Sequence, residues 1–257
     1  MASTIETGFV RNTAKFEKLI TICTSFGTSY NPSRENLTIP ALSTLLQESK
    51  DANAEVNESL ANYKNAVAAR TAAYKPLSKL ITRVQNAAIA CGLPTEIEDN
   101  LRTVVRKLNG RRAPGSKTPE QQPLSANTAA AIAEPAPAPA RISVSQMSVD
   151  ARLGNLKTLV ALLETRPEYT PNEPDLQIES LKALENQLEI LNKNVDTALA
   201  ELSRKRDTRI NIINQPNTGL IDVALAVKAY VKSVFGTSNA QAREISKIIF
   251  RRPKENA

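Results

Sequence analysis

The charged side chains best spaced to hold a metal ion lie between residues 196 and 209, within one predicted helix. Asp196, Glu201 and Asp207 supply carboxylates there. Carboxylates at helical spacing bind metals in ferritin-like proteins, but those sites also take a histidine from each Glu-x-x-His motif. The chain has no histidine, so the sequence favours a solvated face with ion pairs one helical turn apart. We therefore expect neither a metal nor a cofactor.

The residue types needed for acid–base or nucleophilic catalysis are also scarce. Without histidine the chain lacks the commonest general base. Its two cysteines, Cys23 and Cys91, are too few for a structural zinc site. We expect both to be small buried apolar residues, with a disulfide between them as the alternative. The sequence therefore predicts that the protein is not an enzyme.

Two basic clusters offer a different chemistry, the binding of phosphate groups. The net charge of +7 permits a polyanionic partner such as nucleic acid. The clusters match no known nucleic-acid-binding motif, and no aromatic residues that could stack on bases lie between their basic residues. The competing interpretation is that cations simply favour the C-terminal ends of helices. The first cluster contains Arg106, Lys107, Arg111 and Arg112, and the second contains Arg204, Lys205, Arg206 and Arg209.

The segments that carry these side chains belong to an internal repeat. The sequence YNPSRENLTIPALSTL from Tyr30 returns at an offset of 139 positions as YTPNEPDLQIESLKAL from Tyr169, with six identical residues in register. A repeat of this kind predicts two copies of one folding unit. The stretch between the copies is rich in Pro and Ala, which is typical of a semi-rigid extended spacer. We therefore expect helical bundles at 1–112 and 141–257, joined by a linker at 113–140.

Apolar residues recur at helical spacing in four segments of each copy. The second segment is the longest, and a helix of roughly 34 residues would extend about 50 Å. Gly92 and Gly236 are placed to end the third helix of each copy, and Thr95 and Asn239 to cap the fourth. This order predicts an all-α protein of two tandem four-helix units, each short, long, short, short. In the second copy the long segment repeats its apolar residues over three heptads, at Leu181, Leu184, Leu188, Leu191, Val195, Ala198 and Leu202.

Two groups of residues are candidates for contact with another chain. Long heptad helices pack against shorter neighbours or against a second molecule, which makes Leu188, Leu191 and Val195 candidate interface residues. Tyr30 and Tyr169 stand beside a proline at a helix junction, where tyrosine is a favoured interface anchor. The alternative for each tyrosine is that its ring folds back on its own bundle and its hydroxyl donates to a loop carbonyl.

Nearly the whole chain outside the linker is similar to a group of helical proteins from bacteroidete-type bacteria, known only as hypothetical proteins. The likeness rests on the Tyr-x-Pro segments and the closing Arg-Arg pairs. It also rests on ISVSQ from Ile142, TGLID from Thr218 and YVKSVFG from Tyr230. The resemblance implies the tandem organisation and a bacterial cytoplasmic origin. It implies no catalytic or binding residues.

The N-terminal sequence MASTIETGFVR lacks the basic start and apolar run of a secretory signal. No stretch approaches the ~20 apolar residues of a membrane span, so we expect a cytoplasmic protein. The predicted function is that of a non-enzymatic structural or assembly protein that associates with itself into an oligomer or filament. The alternative is a basic helical module that binds nucleic acid or another polyanion.

Overall fold

The computed structural model describes residues 4–110, 147–237 and 239–252. These residues form an all-α fold without a strand, as predicted. The expected linker at 113–140 lies outside the described residues. The helices are α1 (Thr4–Ser25), α2 (Ile39–Tyr74), α3 (Leu77–Ala90), α4 (Thr95–Leu108), α5 (Val149–Glu164), α6 (Ile178–Asn214), α7 (Leu220–Phe235) and α8 (Ala240–Ser246).

The two longest helices, α2 and α6, contain 36 and 37 residues, close to the roughly 34 expected for a helix of this kind. In each case a single residue separates the helix from a preceding 3₁₀ turn, Glu35–Leu37 before α2 and Pro174–Leu176 before α6. Each also ends just before a proline, Pro76 or Pro216. Proline disfavours helical geometry in the residue before it and cannot donate a helical hydrogen bond, so it stops the helix there.

Glycine ends two of the shorter helices, as the sequence predicted. Gly236 is the C-cap of α7 with φ +74°, and Gly92 follows the C-cap of α3 with φ +78°. Both angles fall in the left-handed region that glycine adopts without a steric penalty. The expected N-cap at Thr95 is wrong by one position, because Pro94 occupies the cap and Thr95 is the first helical residue.

The last helix, α8, stops at Ser246, earlier than its apolar spacing predicted. Ile248 is buried beyond the helix end, whereas Ile249 is exposed. The carbonyl groups that a longer helix would bond internally instead accept from side chains of α1 and α7. The donors are Lys228 Nζ to the Ile248 oxygen (2.7 Å), Lys15 Nζ to that of Ile249 (2.6 Å) and Asn12 Nδ2 to that of Arg251 (2.8 Å).

The helices assemble into two compact units, and each unit draws on both halves of the chain. Unit 1 consists of residues 1–66 and 195–257, and unit 2 of residues 67–194. These boundaries do not coincide with the expected bundles at 1–112 and 141–257. The halves do not pack on themselves as predicted; each unit combines helices from both halves, an arrangement we call the exchange. The sequence could not show this, because the apolar stripe of a helix determines its buried face but not which segment covers it.

The exchange is reciprocal. In unit 1, α7 packs against α1 and against the 3₁₀ turn Glu35–Leu37. In unit 2, α3 packs against the 3₁₀ turn Pro174–Leu176, and α4 packs against α5. Each unit has its own apolar core: one joins side chains from 9–42 to those from 213–248, and the other joins 74–108 to 153–188. Each core is therefore closed by residues far apart in sequence.

Candidate functional site

The basic cluster on α6 is largely neutralised or buried inside unit 1. Arg204 pairs with Glu201 at 2.8 Å, and Lys205 pairs with Glu55 at 3.0 Å. Arg206 is half-buried. Arg209 is only 3% exposed, and its guanidinium carbon lies 4.1 Å from the centre of the Phe9 ring. A surface that attracts phosphates needs exposed, uncompensated cations, and this stretch of α6 presents few of them.

The other basic cluster lies at the end of α4 and is described only in part. Arg106 is half-buried and Lys107 is exposed, whereas Arg111 and Arg112 lie outside the described residues. Both described cations belong to the last turn of α4. Cations there interact favourably with the helix dipole, which accounts for their placement without a ligand.

Tyr30 and Tyr169 fold back into their own units, which is the second of the two alternatives that the sequence left open. They are 7% and 5% exposed, respectively. The Tyr30 hydroxyl donates to the Leu37 carbonyl at 2.7 Å, and the Tyr169 hydroxyl donates to the Leu176 carbonyl, also at 2.7 Å. As placed, neither ring offers a surface to another chain. Each instead ties the loop before a long helix to the core.

Burial raises the pKa of Tyr169 to about 12 and also raises that of Tyr30. Burial likewise raises the pKa of Cys23 to about 12. Cys23 therefore stays protonated at neutral pH. Because a thiol must ionise to act as a nucleophile, Cys23 is not poised for that chemistry. Cys23 and Cys91 are both free thiols. The predicted buried state holds for Cys23, whereas Cys91 is half-buried.

The heptad residues of α6 are covered within the chain. Leu188 and Val195 are 0% and 3% exposed, and Leu191 is half-buried. Their apolar surface is therefore already used, and it is not open to a second molecule in this arrangement. The carboxylates of the same helix do not form a metal site: the described residues hold no group of three or more Cys, Asp or Glu side chains suited to a metal ion.

A groove that the sequence did not predict opens on unit 2, between α3 and the loop before α6. Its volume is about 610 Å³. Asn86, Ala87 and Ala90 of α3 line one side together with Cys91 just after the helix, and the loop from Thr170 to Glu173 lines the other. At one edge Arg83 forms a bidentate ion pair with Asp175. One of its two contacts joins Arg83 Nη2 to Asp175 Oδ1 at 3.2 Å.

Two smaller hollows lie elsewhere on the described residues. One of about 430 Å³ lies beside Ser78, Thr82 and Asn109 in unit 2. One of about 310 Å³ in unit 1 is lined by Leu45, Glu48 and the residues around Asn211. The first is also lined by Lys79 and Arg83. The groove beside Ala87 has the largest volume of the three and is the stronger candidate for binding.

No protein-family model, curated protein or solved structure matches the chain. The likeness to helical proteins of bacteroidete-type bacteria therefore stays a prediction from the residues that carry it. None of the helices in 4–110, 147–237 and 239–252 has the length and apolar character needed to cross a bilayer.

Proposed function

We propose that this protein is a non-enzymatic helical scaffold whose two halves arose by duplication and pair with each other as two copies of a homodimer would. The observation that carries the proposal is the reciprocal exchange: α7 covers the turn before α2, and α3 covers the turn before α6. Exchange of identical elements between two chains is a low-cost route to a dimer. Joining the chains makes the same exchange internal and independent of concentration.

Matching details in the two halves support the duplication. The two tyrosine-to-carbonyl hydrogen bonds have the same length and span the same seven residues. The long helices also bury an asparagine at the same register, Asn53 and Asn192, each 8% exposed. Asn53 Nδ2 donates to Thr13 Oγ1 at 3.0 Å, and Asn192 Nδ2 donates to Tyr74 Oη at 3.1 Å. A buried polar residue retained at one helical position is a known means of fixing helix register.

The proposal is tested by producing residues 1–112 and 141–257 separately and together. Each half alone lacks the segments that cover its apolar faces, so we expect it to form a homodimer or to remain unfolded. Mixed in equal amounts, the halves should form a 1:1 complex that melts cooperatively. Circular dichroism and light scattering would report both properties. Two halves that are each a stable monomer, with no tendency to combine, would contradict the proposal.

Self-association of whole chains is the second part of the proposal, and it requires a surface other than the heptad first predicted. Apolar side chains that remain exposed supply candidates on α6: Ile190 is 58% exposed and Leu199 is 48% exposed. Light scattering at tens of micromolar protein tests this part against the chain mass of 27.9 kDa. A multiple of that mass that survives high salt supports apolar assembly. A single-chain mass would overturn this part and leave the internal pairing standing.

Binding of nucleic acid or another polyanion, the alternative drawn from the sequence, has weaker support. The ion pairs of Arg204 and Lys205 and the burial of Arg209 remove much of the charge on which it rested. Absorbance at 260 nm during the same light-scattering run would detect a bound nucleic acid. Loss of that signal in high salt would favour the alternative.

A further inference from the structure

The chain that follows α8 crosses unit 1 without helical or strand structure, and we call residues 248–252 the strap. Ile248 is buried and Phe250 packs against the unit 1 core, whereas Ile249 between them is 57% exposed. Alternate side chains of the strap thus enter the core. A peptide that lies in a groove and places every second residue in a pocket shows the same pattern.

Side chains of α1 and α7 hold the strap by its backbone. Three of them donate to its carbonyl groups: Lys228 Nζ to Ile248 (2.7 Å), Lys15 Nζ to Ile249 (2.6 Å) and Asn12 Nδ2 to Arg251 (2.8 Å). Asn12 Oδ1 also accepts from the Arg251 N–H at 3.5 Å. Arg252 pairs with Asp222 of α7 at 2.5 Å. These four side chains of α1 and α7 form what we call the strap site, and most of their bonds go to backbone atoms.

In unit 2 a longer helix takes the place of α8 and the strap. Buried residues of the two closing segments correspond at an offset of 140 positions, Val105 with Ile245 and Leu108 with Ile248. The helix α4 contains 14 residues, whereas α8 contains seven. A helix bonds its own carbonyl groups, but those of the strap depend on side chains of α1 and α7. We therefore expect the strap to open locally more often than α4 does.

We propose that the strap site of one chain binds the strap of a second copy, so that two chains associate by exchanging residues 248–252. A second copy is the occupant because it carries the same segment, whose backbone and apolar side chains this site already holds. The same hydrogen bonds form within one chain or between two, which makes such an exchange a low-cost route to a dimer. Each strap that leaves its own chain uncovers the site that the other strap fills.

This inference rests on the self-association in the proposed function and supplies its contact. The strap of each chain competes for its own site at an effective concentration of roughly millimolar. Reciprocal exchange offsets this competition, because once one strap has crossed, the second contact forms within the same complex. Association through the strap should therefore increase with protein concentration and involve two contacts at once.

The test is chemical crosslinking of two full-length variants, both with Cys23→Ala and Cys91→Ala so that no native thiol remains. One carries Lys15→Cys in the strap site, and the other carries a mass tag and Ile249→Cys, at the residue whose carbonyl Lys15 contacts. A short bismaleimide spans the gap left by the lysine side chain. At tens of micromolar protein, the mixed dimer should form about tenfold more than in a control pair, because a strap bound between chains holds the thiols together. The control pairs Ile249→Cys with Ile89→Cys, an exposed position on α3 in unit 2.

Crosslinking equal to that of the control pair would overturn the proposal. If the variants do not fold, the parent chain is tested by light scattering with the capped peptide acetyl-Ile-Ile-Phe-Arg-Arg-amide, which has the sequence of the strap. An excess of this peptide should occupy the site and lower the associated mass. The control peptide acetyl-Ser-Ile-Ser-Arg-Arg-amide keeps the charge but lacks both inward side chains, so it should have no effect.

Equal effects of the two peptides on the associated mass would also overturn the proposal. A single-chain mass at every concentration would refute self-association as a whole. An associated mass that neither peptide lowers would refute the strap exchange alone and leave self-association standing.

Discussion

Glu17 of α1 and Lys50 of α2 form an ion pair in which Oε1 and Nζ lie 2.6 Å apart. At offsets of 140 and 139 positions the same contact recurs with the charges reversed, between Lys157 of α5 and Glu189 of α6 at 2.7 Å. The two side chains attract each other in both halves, although the first helix carries the anion in one half and the cation in the other. Both halves thus place opposite charges at the same contact between their first and second helices, and either helix can carry the cation.

This relationship predicts that the charges of Glu17 and Lys50 can be exchanged. Glu17→Lys should lower the free energy of unfolding by about 0.5 kcal/mol, because it places two cations together on an exposed surface where pairs are worth little. Adding Lys50→Glu should restore it. A double-mutant cycle by urea unfolding measures the coupling, which should shrink in 1 M salt. A doubly reversed variant no more stable than the sum of the single changes would argue against the pair.

Removing the hydroxyl of Tyr30 or of Tyr169 should destabilise the fold. Each hydroxyl is buried and donates to a carbonyl at 2.7 Å, so a change to Phe leaves that carbonyl without its donor. We expect a loss of about 1–2 kcal/mol for each. Because the two tyrosines lie in separate cores, their effects should add.

Tyr63→Phe is the control for both changes, since the Tyr63 hydroxyl makes no hydrogen bond with the described residues. Its midpoint of urea unfolding should match that of the parent chain. If Tyr30→Phe and Tyr169→Phe behave like this control, the two hydrogen bonds do not stabilise the fold.

Asp222 should make part of the stability depend on acid pH. The backbone N–H of Asn217 donates to its carboxylate at 3.1 Å, and the Arg252 guanidinium donates at 2.5 Å. These two donors hold the pKa of Asp222 below the usual 3.8. The stabilisation is therefore present above the unfolded-state pKa and is lost as pH falls through the lower folded-state pKa. Asp222→Asn should destabilise at pH 7 by up to about 1 kcal/mol.

The measurement is urea unfolding of Asp222→Asn and the parent chain between pH 2 and pH 7. Their difference should shrink towards zero at the acid end, because the parent carboxyl is then protonated. Asp207→Asn, which changes an exposed carboxylate on α6, is the control and should show little difference at any pH. A difference for Asp222→Asn that stays constant down to pH 2 would contradict the assigned cause.

Arg204 and Arg209 lie five positions apart but should respond very differently to substitution. Arg209 is buried with its guanidinium against Phe9, so Arg209→Gln should lower the free energy of unfolding by about 2 kcal/mol. Arg209→Lys should also lose stability, since lysine lacks the planar group. Arg204→Gln alters an exposed pair and should cost less than about 0.5 kcal/mol.

The same variants separate structure from polyanion binding. In a titration with a fluorescent oligonucleotide at low salt, Arg204→Gln should change affinity little, because Glu201 already matches its charge. A large loss of affinity in a folded Arg204→Gln variant would instead assign this surface to polyanion binding.

The individual helices could be predicted because their determinants are local. The apolar spacing of α6, the prolines that end α2 and α6, and the glycines after α3 and α7 all act within a few residues. The early end of α8 could not be predicted in this way. It depends on Lys15, Lys228 and Asn12, which lie distant in sequence and take over its carbonyl groups.

The exchange between halves was also beyond local reasoning. The heptad of α6 identifies Leu188 and Val195 as buried, but the same pattern is satisfied by a neighbour from either half or from another chain. The groove beside Ala87 could not be predicted either, because it forms where α3 meets the loop before α6, about 80 residues further along the chain.

The exchange also determines the order in which the parts of the fold can close during synthesis. All segments of unit 2 have been made once residue 194 has left the ribosome. Unit 1 must wait for the C-terminal segment, because Asn12 bonds to Arg251 across 239 positions. Until α7 has been made, the part of the α1 apolar face that packs against it has no cover from that helix. The nascent chain therefore carries α1 with part of its apolar face open for most of the synthesis of these residues, and such a surface favours contact with other molecules.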